Sequence, residues 1–237
     1  QNITKRQEYE LFFQSDRLDP ADNELSPATA VAISRELDLS SRDAFLDLGS
    51  SRGGLTLTVA ATTDCGICSG VELSPTSLAV ARESRRLFYE NSLQPEDNSR
   101  LRFFQGDLRS APLVDHNVFY CAIRGASSRP RIMHQFMKAL AREGTSARDG
   151  SALHMARPGL KSFMDRPRRL ICAGFGLDVS GRPYDGHVRL TRARVLLKSL
   201  DETGGREAPN CITLEDAEPL YGDGKGPRVL LEYEIRL

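Results

Sequence analysis

Residues 45–54 read FLDLGSSRGG, and this stretch decides which fold the sequence predicts. It begins as an apolar run interrupted by Asp47, and its last six residues include three glycines and two serines. Glycine tolerates positive φ and lets the backbone approach a neighbouring group closely, as a sharp strand-to-helix turn at a ligand site requires. The stretch therefore predicts the first strand, turn and helix of an open α/β sheet, with a ligand held against the turn.

The rest of the chain continues this alternation of strand and helix. Ser26-Pro27 and Ser74-Pro75 are typical helix starts, with Ser as the N-cap and Pro at the first helical position. The expected strands are DAFLDLG, GICSGVEL, RLRFFQGD, NVFYCAI and GSALHMARPG, and from about residue 187 HVRLTRARVLLKSL and RVLLEYEIRL predict an antiparallel hairpin. The sequence therefore predicts a Rossmann-like α/β fold, with a mostly parallel seven-stranded sheet that ends in that hairpin.

Length and composition exclude several classes of protein. At 237 residues the chain is long enough for one sizeable α/β domain or two small ones. Its 32 basic and 32 acidic residues balance, so a polyanion would have to bind a local patch. No apolar run approaches the ~20 residues of a membrane span, and residues 1–17 lack the features of a secretory signal. We expect no membrane partner.

The five cysteines do not predict a metal site. Cys65 and Cys68 form a CGIC motif, but no second Cys/His pair with zinc-ligand spacing follows it. The motif leads into a strand rather than opening a helix, as a redox motif would. We expect free thiols at a strand entrance and a reducing compartment.

Three acids indicate what the glycine turn binds. Asp47 precedes the turn, where its charge would repel a pyrophosphate but suit a ligand with an ammonium and a sulfonium group. Glu72 ends the next strand, where an acid accepts ribose hydroxyls, and Asp107 ends the third, where it would accept from an adenine amine. Because parallel strands end at one edge, the three acids face one crevice, and we predict that it binds S-adenosylmethionine.

Alternatives remain at this point. NAD(P) binding is disfavoured by Asp47 and by Ser51, which stands where a dinucleotide fingerprint requires glycine. A non-catalytic Rossmann-type binding module would have little use for all three acids. A methyltransferase acting on RNA or on a small molecule is the main alternative, although CAIR in the fourth strand is not the Asn/Asp-Pro-Pro-aromatic motif of amino-directed nucleic-acid enzymes.

Residues 23–74 (NELSPATAVAISRELDLSSRDAFLDLGSSRGGLTLTVAATTDCGICSGVELS), followed by GDL and VFYCAI, resemble the disruptor-of-telomeric-silencing family of histone lysine methyltransferases. The DLGSSRGG variant is similar to kinetoplastid members. The resemblance covers roughly residues 20–165. It implies a class I, non-SET enzyme that methylates a lysine in the globular core of histone H3 in nucleosomes, and therefore a nuclear protein.

The resemblance also implies site residues and domains. Glu24 matches the acid of a loop that covers the methionine moiety, so residues 1–40 are expected to form a helical cap with that loop, and residues 41–237 the cofactor-binding core. The expected cofactor-binding residues are Glu24, Asp47, Gly49, Ser51, Gly53, Glu72, Leu73, Asp107 and Leu108.

The chain departs from the family at two places. Asp22-Asn23 replace the usual Tyr-Gly before the loop acid, and Cys121-Ala122 replace paired asparagines at the exit of the fourth strand. The substrate amine must arrive neutral, which a dry channel beside a sulfonium favours, so no dedicated base is expected. The candidate channel residues are Tyr120, Cys121 and Ile123, with Tyr184 and Tyr221 as further possibilities in loops.

Two arginine-rich segments are candidates for contacts with nucleosomal DNA or with the histone surface. They are residues 124–131 (RGASSRPR) and 157–169 (RPGLKSFMDRPRR). Phosphate contacts of this kind would be salt-dependent and would not read sequence. A solvated charged face is the alternative interpretation.

Overall fold

The structure is a computed structural model that describes residues 25, 27–90, 100–108, 111, 113–122, 129–148, 167–173, 188–196 and 228–236. The helices in these ranges are α1 (Pro27–Glu36), α2 (Gly54–Thr62), α3 (Pro75–Glu90) and α4 (Arg129–Arg148), with a short 3₁₀ helix at Leu113–Asp115. The strands are β1 (Ala44–Leu48), β2 (Ile67–Glu72), β3 (Leu101–Gln105), β4 (Val118–Cys121), β5 (Arg168–Ala173), β6 (Val188–Leu196) and β7 (Arg228–Ile235).

The seven strands form one sheet in the order β3-β2-β1-β4-β5-β7-β6. Strands β1 to β5 are parallel, and β7 lies antiparallel between β5 and β6. The predicted fold class is therefore confirmed. Of the two C-terminal strands, β7 lies next to the parallel strand β5, and β6 forms the edge of the sheet.

The expected position of the fifth strand was wrong. GSALHMARPG was expected there, but the place beside β4 is taken by β5, in which Cys172 pairs with Cys121 of β4. The segment RRLICA supplies a short apolar run, and Leu170, Ile171 and Cys172 are all buried. Burial on both faces favours such a run at the centre of a sheet. Residues 150–159, which carry the predicted strand, lie outside the described ranges.

Two apolar cores cover the two faces of the sheet. Alternate residues of each central strand point to opposite faces, so Phe45 packs into one core and Leu46 into the other. Helices α1, α2 and α3 supply the first core, and α4 supplies the second through residues such as Phe136, which meets Phe119 edge-on at 5.4 Å. This double cover fixes the sheet and leaves the carboxyl ends of the strands for a site.

A buried polar network ties the opposite, amino-terminal edge of the sheet together. The Asn117 side chain accepts from the Ala44 N–H at 2.7 Å and donates to Asp43 at 2.9 Å. The other Asp43 oxygen accepts from the backbone and hydroxyl of Ser40. These hydrogen bonds lower the pKa of Asp43 against the opposing effect of burial. The network holds β1 and β4 in register at the point where both begin.

Helix α1 packs on the core rather than standing apart from it, because Ala30, Ile33 and Leu37 are buried with Phe45. The division of the chain at residue 40 remains a prediction. None of the helices in the described ranges is long and apolar enough to cross a bilayer.

Candidate functional site

The glycine turn has a backbone conformation that most residues disfavour. Gly49 and Gly53 both have φ of 86°, and Ser51 between them has φ of 49°. The N–H groups of Gly49 and Ser50 both donate to the carbonyl of Val71 in β2, at 2.9 and 3.0 Å. The turn is thus built from left-handed residues and fastened to the end of the neighbouring strand.

Two glycines are required by close packing under the turn. A Cβ on Gly53 would lie 2.6 Å from the ring of Phe103, and one on Gly70 would lie 2.6 Å from the Ser50 hydroxyl. By contrast, a Cβ on Gly49 or Gly54 would meet nothing within 4 Å. The turn therefore rests tightly on the sheet on one side and borders open space on the other, where a ligand would approach.

Asp47 is a buried acid in the middle of this arrangement. It is only 4 % exposed, and its Oδ2 accepts a hydrogen bond at 3.2 Å from the hydroxyl of Thr56, which is in α2. Burial raises the pKa of Asp47 to about 7; the Thr56 hydrogen bond opposes this shift and the charge of Glu72 adds to it. A cationic group bound beside Asp47 would stabilise the ionised form.

Two oxygen atoms near the turn lack hydrogen-bond partners in the described part of the chain. The Ser50 hydroxyl is buried without one, and Asp47, whose Oδ2 accepts from Thr56, makes none through Oδ1. They lie close together, since Ser50 covers Gly70 and Gly70 is the register partner of Asp47 in β2. Buried polar atoms are normally paired, so this spot fits a ligand that donates hydrogen bonds, such as an ammonium group.

Glu72, the expected ribose acid, is already held by three backbone N–H groups. Its Oε2 accepts from Ser51, and its Oε1 accepts from Leu73 and Ser74, each at 2.8 Å. The last two amides precede α3, so the carboxylate sits at the positive end of a helix. Glu72 thereby links the glycine turn, the end of β2 and the start of α3.

The third acid lies at the same edge of the sheet. The Gly106 N–H donates to the Glu72 carbonyl at 3.0 Å, so the chain that carries Asp107 and Leu108 leaves β3 beside the end of β2. Leu73, Asp107 and Leu108 are all partly exposed, as a shared ligand crevice requires. The structure brings the three acids to one edge, and their roles toward a cofactor remain predictions.

The candidate channel residues of β4 are core side chains in this structure. Tyr120 is 1 % exposed and packs beside Phe45, with ring centroids 6.5 Å apart. Cys121 is fully buried, and its thiol donates to Met133 Sδ at 3.7 Å. A channel role for either residue remains a prediction, and a channel there would have to reach side chains that are buried in this structure. Glu24, Ile123, Tyr184 and Tyr221 lie outside the described residues.

The C-terminal end of the second arginine-rich segment is part of the folded sheet. Arg168 and Arg169 belong to β5, and Arg169 donates to the Leu37 carbonyl at 3.2 Å and to Glu232 at 3.4 Å. It therefore holds the C-terminal end of α1 against the sheet and is not available as a simple surface contact. Residues 123–128 and 157–166, most of the two segments, lie outside the described ranges.

The CGIC cysteines are buried at the start of β2. The Cys65 thiol donates to the carbonyls of Asp43 and Ile67, at 3.2 and 3.1 Å, and Cys68 is fully buried in the same core. Within the described ranges, no cluster of three or more His, Cys, Asp or Glu side chains is arranged to hold a metal ion.

Sequence reasoning missed Thr56 and Ser50. Thr56 was part of a helical pattern in which it looked like an ordinary polar position, and Ser50 looked like a turn residue. The available signal was spacing, because a polar residue in the first turn of the helix after the glycines can point back to the strand that carries Asp47.

The family comparison agrees with the sequence resemblance. A family model described as the histone methylation protein DOT1 matches residues 19–120, which contain the glycine turn and all three acids. The expected resemblance is confirmed over this span. The kinetoplastid-like detail remains a prediction. No curated protein sequence is similar enough to count as a match.

Solved structures with TM-scores just above 0.5 show the same fold at low sequence identity. TrmN from Thermus thermophilus matches with a TM-score of 0.51 and 15 % identity over 92 % of this chain and 51 % of its own. The present chain thus spans about half of TrmN. Sp1610 from Streptococcus pneumoniae matches with a TM-score of 0.52 and 12 % identity, over 90 % and 71 %. An RNA methyltransferase from Salinibacter ruber in complex with S-adenosyl-L-homocysteine matches with a TM-score of 0.49 and 15 % identity, over 90 % and 92 %.

Fold and family match together support the expectation of an S-adenosylmethionine-dependent methyltransferase. The substrate is a separate question.

Proposed function

We propose that the chain is a nuclear lysine N-methyltransferase that uses S-adenosylmethionine and modifies a lysine in the globular core of histone H3 within nucleosomes. The family match across the cofactor motifs supports the substrate class. The observation that carries the cofactor assignment is the buried Asp47 carboxylate, held by Thr56 through Oδ2 alone among the described residues, beside a glycine turn that is open on its far side.

Each part of the crevice suits one part of this cofactor. Asp47 and Ser50 would accept from its ammonium group, and the open backbone at Gly49 would face its methionine portion. Glu72, held by backbone amides, would accept from the ribose hydroxyls. Asp107, with Leu73 and Leu108, would contact the adenine. When bound, the cofactor supplies an electrophilic methyl group on a sulfonium.

The protein's own task in such a transfer is mainly orientation and exclusion of water. The lysine amine has to be neutral and in line with the methyl group, and a dry channel beside a cation lowers its pKa. We propose that this channel opens where β4 ends, around Tyr120, Cys121 and Ile123. The loop containing Glu24, within the segment before residue 40, would cover the methionine portion of the cofactor.

Docking on a folded particle is the proposed reason for the arginine-rich segments. Residues 124–131 and the part of residues 157–168 before β5 would meet nucleosomal DNA or the histone surface. Such contacts would add affinity that falls with salt, without reading DNA sequence.

The test is a transfer assay with labelled S-adenosylmethionine. Purified protein is offered nucleosomes, free histone H3, a peptide spanning the modified lysine, and total RNA, with Asp47→Ala as the inactive control. We expect label on H3 in nucleosomes above all other substrates. Label on RNA alone would reject the histone assignment, and NAD binding without S-adenosylmethionine binding would reject the cofactor assignment.

A further inference from the structure

One contact of Asp47 comes from a residue to which no role has been assigned. Thr56 is fully buried in the first turn of α2, and its hydroxyl donates to Asp47 Oδ2 at 3.2 Å. Thr58, two residues along the same helix, donates instead to the carbonyl of Gly54. Thr56 therefore turns its hydroxyl away from its own helix and toward β1.

We propose that Thr56 is a positioning residue that fixes the Asp47 carboxylate so that its Oδ1 faces the cationic end of the cofactor. This inference rests on the proposed function for the identity of the ligand. The hydrogen bond between Thr56 and Asp47 is present in the protein without any ligand. With Oδ2 held by Thr56, the carboxylate cannot rotate freely, and Oδ1 is left as the unpaired acceptor.

The same hydrogen bond also affects the charge of Asp47. A hydroxyl that donates to a carboxylate favours the ionised form and lowers its pKa against the effect of burial. The other titratable groups nearby are the Glu72 carboxylate, whose charge raises the pKa of Asp47, and the Tyr120 phenol of the adjacent strand β4. In the described part of the site, Thr56 is the group that favours the charged acid.

Three variants separate this role from simple packing. Thr56→Val keeps the shape and removes the hydroxyl, Thr56→Ser keeps the hydroxyl, and Thr58→Val removes a hydroxyl from the same helix without touching Asp47. The first measurement is the pKa of Asp47 in the ligand-free protein, obtained from a pH titration monitored by NMR of the carboxyl carbon. We expect Thr56→Val to raise it by ~1 unit, the effect of losing one hydrogen bond to a charged group, and the other two variants to leave it nearly unchanged.

The second measurement is the affinity for S-adenosylmethionine at pH 6, 7 and 9. With Asp47 titrating ~1 unit higher, Thr56→Val should bind about tenfold more weakly at pH 6 and about fivefold more weakly at pH 7, with little change at pH 9. Thr56→Ser and Thr58→Val should follow the wild-type profile. A defect of equal size at every pH would mean that Thr56 only packs.

The two measurements can reject the positioning role and the proposed function separately. If Thr56→Val leaves the pKa of Asp47 unchanged in a folded protein, the positioning role is overturned whatever the cofactor is. If that pKa moves as expected but the wild type does not bind S-adenosylmethionine, the contact stands and the proposed function falls.

Discussion

The carboxylate of Glu72 accepts the backbone N–H of Ser51 at 2.8 Å, across the gap between the end of β2 and the glycine turn. Ser51 has φ of 49°, a left-handed conformation that is unfavourable by about 1 kcal/mol for a residue with a side chain. The hydrogen bond holds Ser51 in that conformation. Glu72 is therefore part of the structure of the turn as well as the expected partner of the ribose.

Glu72→Ala should weaken S-adenosylmethionine binding by about 1.5–3 kcal/mol, the range for losing hydrogen bonds to a charged group. It should also loosen the turn, because Ser51, Leu73 and Ser74 lose their common acceptor. Titration calorimetry and urea unfolding measure the two effects. Glu83→Ala, which removes an exposed acid from α3, is the control. An unchanged dissociation constant in folded Glu72→Ala would place the ribose elsewhere.

Much of this site follows from sequence because its acids occupy simple positions. Asp47, Glu72 and Asp107 lie in or just after apolar strands, and parallel strands must end at one edge. The hydrogen bonds among them were not predictable. Whether Glu72 reaches Ser51, or Thr56 reaches Asp47, depends on rotamers and on the pitch of the turn, and these are set by packing on Phe103 and Gly70.

The fifth strand shows another limit of sequence reasoning. Arg168 and Arg169 looked like part of a solvated basic segment, and the charge concealed the start of β5. An arginine can be accommodated in a strand when its head group reaches carbonyls and a carboxylate, as Arg169 does with Leu37 and Glu232. Those partners are distant in sequence, so no local pattern signals them.

The three glycines of the turn should respond differently to alanine. Gly53→Ala should be the most destabilising, by more than ~2 kcal/mol, because it combines φ of 86° with a Cβ 2.6 Å from Phe103. Gly49→Ala should cost about 1–2 kcal/mol from its positive φ alone, since the space beside it is open. Gly54→Ala, at the start of α2, should be neutral or stabilising by about 0.5 kcal/mol. Urea denaturation gives the ranking, and equal costs for Gly49 and Gly53 would contradict the packing under the turn.

Asp47 should make the ligand-free protein less stable as the pH rises. Its pKa is raised from 3.8 to about 7 in the folded state, so the folded protein holds the proton more tightly than the unfolded chain does. Stability should therefore fall between about pH 4 and pH 7 and then level off, by up to ~4 kcal/mol from this one group. Asp47→Asn should remove that slope when unfolding is measured at pH 5, 6, 7 and 8. A wild type and variant with parallel profiles would show that the acid titrates normally.

Arg169→Gln should destabilise the fold by about 1–3 kcal/mol. It removes a partly buried cation from the C-terminal end of α1, and it leaves Glu232 without its ion-pair partner. The matched control is Arg86→Gln, since Arg86 pairs with Glu83 and Glu90 on an exposed face of α3, where ion pairs contribute about 0–1 kcal/mol. Thermal unfolding of both variants decides the matter. A loss of nucleosome binding in Arg169→Gln is informative about docking only if this stability loss is absent.

Cys121→Asn tests the proposed lysine channel against the burial seen here. Asn is the residue that the resembling family carries at this place, yet Cys121 is fully buried in the apolar core beside Met133. Burying an amide there without partners should cost about 1–3 kcal/mol, whereas Cys121→Ala should leave no unpaired polar group. We expect Cys121→Asn to lower the midpoint of urea unfolding more than Cys121→Ala, with cofactor affinity unchanged in both. If instead Cys121→Asn is as stable as the wild type and shifts the ratio of mono- to di- and trimethyl product, measured by mass spectrometry of the histone, then the thiol faces the channel and the core placement of this side chain is wrong.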